Sequence, residues 1–111
     1  MAVIQKKVAV AANTTNKNIL SGEEFEFLPF HAQVTFGFNQ SATGLEIDVH
    51  TGQDLLCKAL EPLISATYPN NDEMDFVDIV AAGERLTVQV RNTTAGSLDC
   101  YARILIDPVI L

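Results

Sequence analysis

Tryptophan is absent from this 111-residue chain, and cysteine (two), histidine (two) and basic residues (seven Lys and Arg together) are scarce. Each scarcity removes a class of function. With 14 acidic residues the formal net charge is −7. Nucleic-acid affinity comes largely from Lys and Arg neutralising phosphates, and the few here are scattered, so no nucleic-acid partner is expected. No run approaches the roughly 18 apolar residues of a helical membrane span, so no membrane partner is expected either. Met1-Ala2-Val3-Ile4-Gln5-Lys6-Lys7 lacks the basic-then-apolar order of a secretory leader, which predicts cytoplasmic synthesis. Cys57 and Cys100 lie far apart in apolar or alternating stretches and read as reduced core thiols, with a disulfide as the minority reading.

The chemistry-bearing residues form no recognisable constellation. No CxxC, paired His-x-His or GxSxG turn occurs, so neither a metal or other cofactor nor a nucleophilic catalyst is expected. His31 and His50 fall on the polar faces of strand-like segments and read as surface residues. Asp72, Glu73, Asp75 and Asp78 offer hard oxygen atoms for calcium, but the central Gly and terminal Glu of an EF-hand loop are missing, and a solvated loop is the better reading. Glu24 and Glu26 share one face of a short segment, whereas glycosidase carboxylates must face each other across a cleft. Asn13-Thr14-Thr15, Asn39-Gln40-Ser41 and Asn92-Thr93-Thr94 match the glycosylation pattern but read as turns, with Asn taking an unusual backbone angle in the two Asn-Thr-Thr sequences and Thr hydroxyls bonding the turn.

What the chain has in abundance is two-residue alternation. Aliphatic and aromatic residues make up 48% of it and charged residues 19%, a globular balance that disfavours disorder. Ile4 to Ala12 carries Ile4, Val8, Val10 and Ala12 on one face, interrupted by Lys6. Asn18 to Leu20 reads as a short strand. Glu24 to Phe27 alternates with Phe25 and Phe27 inward and the two glutamates outward. His31 to Asn39 places Ala32, Val34, Phe36 and Phe38 on one face and His31, Gln33, Thr35, Gly37 and Asn39 on the other, polar face, and after Ser41-Ala42-Thr43-Gly44 the residues Leu45, Ile47 and Val49 resume the apolar face opposite the polar Glu46, Asp48 and His50. This last pair predicts a hairpin. Asp54 to Ser65 is ambiguous between a strand or irregular crossing and a short helix ended by Pro62, with the strand or crossing preferred. Phe76 to Val80, Arg85 to Arg91 and Leu98 to Ile106 alternate around turn clusters and read as a closing hairpin that carries a sheet edge to edge.

Seven or eight short strands at about ten-residue spacing predict a single all-β domain over residues 1–111, an antiparallel β-sandwich of jelly-roll-like type. An immunoglobulin-like strand order fits nearly as well. The expected core comprises Val34, Phe36, Phe38, Ile47, Val88, Val90, Ile104 and Ile106.

Five phrases carry a family resemblance: Asn18-Ile19-Leu20-Ser21-Gly22, Phe27-Leu28-Pro29-Phe30, Ser41-Ala42-Thr43-Gly44-Leu45, Ala81-Ala82-Gly83-Glu84-Arg85-Leu86 and Val90-Arg91-Asn92-Thr93-Thr94-Ala95-Gly96. Together they resemble small tailed-phage virion proteins, the β-sandwich or jelly-roll subunits that decorate or cement a capsid. The resemblance implies a non-enzymatic structural protein with no catalytic residues to transfer, a homo-oligomer (a trimer by analogy) and the major capsid protein as partner. It also implies a place on the virion surface after synthesis in the host cytoplasm. The negative charge fits the outside of a shell, away from packaged nucleic acid. The apolar end Pro108-Val109-Ile110-Leu111 is the candidate interface, because three large aliphatics in four residues call for burial in a core strand or against another copy. The competing reading is a soluble carbohydrate- or ligand-binding β-sandwich module, which predicts a groove lined by aromatics.

Overall fold

The computed structural model describes residues 2–70 and 74–110, and contains only β-strands as regular structure among them. In chain order these are β1 (Ala2–Val10), β2 (Thr15–Asn16), β3 (Ala32–Gln40), β4 (Leu45–Thr51), β5 (Asp54–Leu60), β6 (Leu63–Ile64), β7 (Phe76–Val80), β8 (Leu86–Asn92) and β9 (Leu98–Pro108). One sheet runs β1-β9-β3, with β7 and β6 both on the far edge of β3; the other runs β2-β8-β4-β5. Leaving aside the two-residue β6, the eight strands pair first with last and inward: β1 with β9, β2 with β8, β3 with β7 and β4 with β5. That nesting is the jelly-roll order, and it replaces the immunoglobulin-like alternative.

The core forms where the two apolar faces meet. Val34, Phe36, Phe38, Ile47, Val88, Val90, Ile104 and Ile106 are all buried, as the alternation predicts. Phe36 anchors the centre, its ring centroid 5.7 Å from Phe76 and 6.4 Å from Phe38. Even-numbered residues of β1, β3, β7 and β9 share the inner face because the registers pair even with even, as in Ile4↔Ile104, Phe36↔Ile104 and Phe36↔Phe76.

Both expected hairpins are absent. β3 and β4 belong to different sheets, as do β8 and β9, and β7 pairs with β3 rather than β8. Their connecting turns carry the chain across the sandwich instead of folding it back. Alternation says which side of a strand is apolar but not which strand lies beside it. The crossing after β3 needs Gly44, whose φ is +138° and where a Cβ would collide with the Thr94 methyl group. Among the described residues the one tight hairpin is β4–β5, turned at Gly52 with φ +64°. The ambiguous segment from Asp54 is thus an edge strand, bulged against β4 near Lys58 and Ala59.

Residues 18–28 do not form the strands expected of them. They run along the edge of β8 and complete its hydrogen bonds. Asn18 Oδ1 accepts the Leu20 and Val88 amides at 3.0 and 3.1 Å while its Nδ2 donates to the Leu86 carbonyl at 3.2 Å. Ile19 N–H donates to the Val88 carbonyl, and Leu86 N–H to the Glu26 carbonyl. This path inverts the expected faces at its end: Glu26 is buried, bonded by the Gly22 amide and Arg85 Nε, and Phe27 is 58% exposed. The two Asn-Thr-Thr turns also differ. Asn13 takes φ +53°, whereas Asn92 is buried and its side chain ties the turn to β1, donating to the Val10 and Gly96 carbonyls and accepting from Thr94.

Candidate interaction surface

The outer face of the β1-β9-β3-β7 sheet divides into a covered half and a bare half. The covered half lies under residues 65–70 and Met74. Tyr68 packs edge-on against Tyr101, with ring centroids 5.6 Å apart, and Lys7 Nζ lies over the same ring. Asn39 donates to the Thr67 carbonyl, and a Cβ at Gly37 would press on Met74 and Pro69. Gly37 and Asn39, which read as an exposed polar face, are therefore buried. Arg103 sits beneath this margin between Gln5 and Gly37, and its Nε meets no acceptor among the described residues.

The bare half carries one mainly apolar row, with a mixed row of Ile79, Gln33 and Asp107 beyond it. The registers align Val3, Leu105, Thr35 and Val77 in one row across four strands, and Ile79 stands beside Gln33 in the next row. Val3 is 48% exposed, Val77 52% and Ile79 57%. Sequence pattern alone gave little warning here, because Val77 and Ile79 alternate with Phe76, Asp78 and Val80 in a run that is apolar on both faces. A nearly continuous apolar run ordinarily marks a strand buried on both sides. The charge at Asp78 points inward, where it accepts the Thr51 hydroxyl across the sandwich at 2.9 Å.

The expected C-terminal interface is only partly joined to this patch. Pro108 pairs with Ala32 at the end of β9, the Val109 amide donates to the His31 carbonyl, and Ile110 is fully exposed. Leu111 lies outside the described residues, as do Asp72 and Glu73 of the acidic cluster. The other two members of that cluster are separately engaged, Asp78 with Thr51 and Asp75 with the backbone of β3. A second set of exposed aliphatics, Leu55, Leu63 and Ile64, belongs to the edge elements β5 and β6.

Titratable groups are tuned for structure. Burial pushes the Cys100 thiol up to about 12, and desolvation also raises Cys57, so both free thiols stay protonated at neutral pH. Cys57 is half-buried rather than fully in the core. Asp75 is raised by desolvation, partly offset by the Phe38 amide donating to its Oδ2 at 3.0 Å. Its carboxylate fills the gap on the edge of β3 between β7 and β6, where that amide has no strand partner. Asp48 is held below the usual carboxylate range, first by the forked hydrogen bonds from Arg91 and then by the Ala59 amide of the β5 bulge. His31 is exposed and accepts the Ala82 amide on Nδ1. Among the described residues there is no cavity and no group of three or more His, Cys, Asp or Glu side chains placed to hold a metal ion.

No family model, curated protein or solved structure matches the chain.

Proposed function

We propose that this chain is a structural assembly subunit that works by protein–protein contact, of the kind that decorates or cements a phage capsid from its outer surface. The observation that carries the reading is the apolar row on the bare half of the outer sheet face, Val3, Leu105 and Val77 with Ile79 beside it, on a chain of net charge −7. Single exposed aliphatics are ordinary, but several aligned in register on one sheet mark a surface awaiting a partner. Of the candidate C-terminal residues Pro108, Val109, Ile110 and Leu111, the first three lie at the β9 end of the same sheet. A homo-oligomer, with three copies by analogy, and the major capsid protein are the partners this reading assigns. The ligand-binding alternative asks for exposed aromatics around a groove. Phe27 is the one large exposed aromatic among the described residues, and Arg85 lies over its ring.

Two measurements test the proposal. Light scattering on the purified full chain should report a stable oligomer, and purified particles should contain the chain at fixed stoichiometry to the major capsid protein. A monomer that binds glycans and is missing from particles would refute it.

A further inference from the structure

Leaving aside the two-residue β6, four strands bound the two sheets, and three of these edges carry a lysine, a bulge or a covering segment. β1 bears Lys6 and Lys7, and Lys6 is held by Glu23 of the 18–28 segment at 2.6 Å. β5 is bulged, bears Lys58, and has Ala59 at φ +56°. The edge of β8 is occupied by β2, Asn18, Ile19 and Glu26. Lysines, bulges and covering loops are how native sheets blunt their edges. β7 has none of these, and its one device is the inward-pointing charge of Asp78.

The backbone parity of β7 follows from its neighbour. On β3, the Phe36 carbonyl accepts the Asp75 amide, the Phe38 amide donates to the Asp75 side chain, and the Gln40 carbonyl accepts the Ser65 amide. Even-numbered residues of β3 thus turn their backbone groups toward β7 and β6. In an antiparallel ladder alternate residues bond to a given neighbour, so Asp78 and Val80 bond back to β3 while Val77 and Ile79 direct N–H and C=O away from it. No described residue takes them up. The segment of residues 65–70 passes over the outer face at Tyr101 and Gly37 rather than along this edge.

Building on the assembly reading, we propose that β7 accepts an extended segment of a partner protein as an added antiparallel strand, with a Lys or Arg opposite Asp78 and an aliphatic residue on either side of it. The two aliphatics would pair with Val77 and Ile79 through the four free backbone groups and extend the apolar row of the outer face. The central position falls on the inner face, directly opposite Asp78. That carboxylate has a hydroxyl partner but no cation within 4.0 Å among the described residues, in a chain of net charge −7. The same carboxylate disfavours the most obvious rival occupant, a second β7. Pairing two copies to use all four backbone groups would set Asp78 against Asp78, and like charges directly opposite are destabilising.

The test titrates the full chain with the peptide acetyl-Thr-Thr-Val-Lys-Val-Thr-Thr-amide and follows backbone amide resonances and hydrogen exchange. The Val77 and Ile79 amides should shift and gain protection. A Glu-centred peptide should bind about tenfold more weakly, the change from attraction to repulsion at one cross-strand pair. A peptide N-methylated at both valines should not bind. Val77→Pro should abolish binding while leaving the fold intact, because that amide does not bond to β3. Equal binding of the Lys and Glu peptides, protection centred on β1 or β5, no saturable shift, or a dimer protected at β7 would each overturn the proposal. If Val77→Pro chains still load onto particles, the assembly reading stands and the β7 contact falls. If wild-type chains never load, the assembly reading falls, and peptide binding still decides the edge.

Discussion

Removing the side chain of Asn18 should destabilise the fold out of proportion to its size. Its amide group does the work of a strand residue: it satisfies the Val88 amide, the Leu86 carbonyl and the Leu20 amide, and all three residues are fully buried. Asn18→Ala leaves those groups without a partner. Each orphaned buried group costs about 1–3 kcal/mol, and with partial entry of water the sum should be about 2–4 kcal/mol. Asn18→Leu is the companion variant, because it restores side-chain volume without hydrogen bonding. Urea unfolding monitored by circular dichroism should show both variants losing similar stability at an unchanged m-value. Hydrogen exchange at the Val88 amide should accelerate in both. A loss below about 0.5 kcal/mol, the range of an ordinary surface substitution, would refute the view that this side chain closes the β8 edge. Recovery by Leu alone would assign the loss to packing instead.

Three further outcomes follow from the packing and charges. Phe36→Ala, at the centre of the aromatic cluster with Phe38 and Phe76, should cost about 3–5 kcal/mol in thermal or urea unfolding, and a much smaller loss would mean the site collapses around the missing ring. Asp48→Asn removes the charge from the Arg91 fork and should cost about 1–2 kcal/mol at pH 7. The folded carboxyl lies below its unfolded value, so its contribution is present above about pH 4 and is lost as pH falls further, and the gap between wild type and variant should close there. A gap that persists at acid pH would assign the effect to shape. Deleting Val109 to Leu111 should lower oligomer content in light scattering more than it lowers the unfolding midpoint, and equal damage to both would make the tail part of the core.

Much of the core was legible from alternation, because a strand with one apolar and one polar face settles its own orientation. Val34, Phe36 and Phe38 on β3, and Val88 and Val90 on β8, needed no knowledge of their neighbours. The reading failed where a partner distant in sequence decided the outcome. Glu26 is inside and Phe27 outside because the chain there docks on Leu86 and Arg85, about 60 residues away, through backbone bonds that hydrophobic pattern does not encode. Asp48 looked like an outward polar residue and is instead covered by the β5 bulge and Arg91.

The sequence by itself determined the class of fold, an acidic all-β sandwich without tryptophan, and the inner face of its main strands. The reason is local: a two-residue period and steric turn preferences act within a few residues. Tertiary structure alone decided the jelly-roll nesting, in which the first strand lies beside the last. It also decided which edges are guarded and, among the described residues, left the outward backbone groups of β7 without a partner. Those outcomes depend on pairing between residues far apart in the chain, and any single strand is silent about its neighbour.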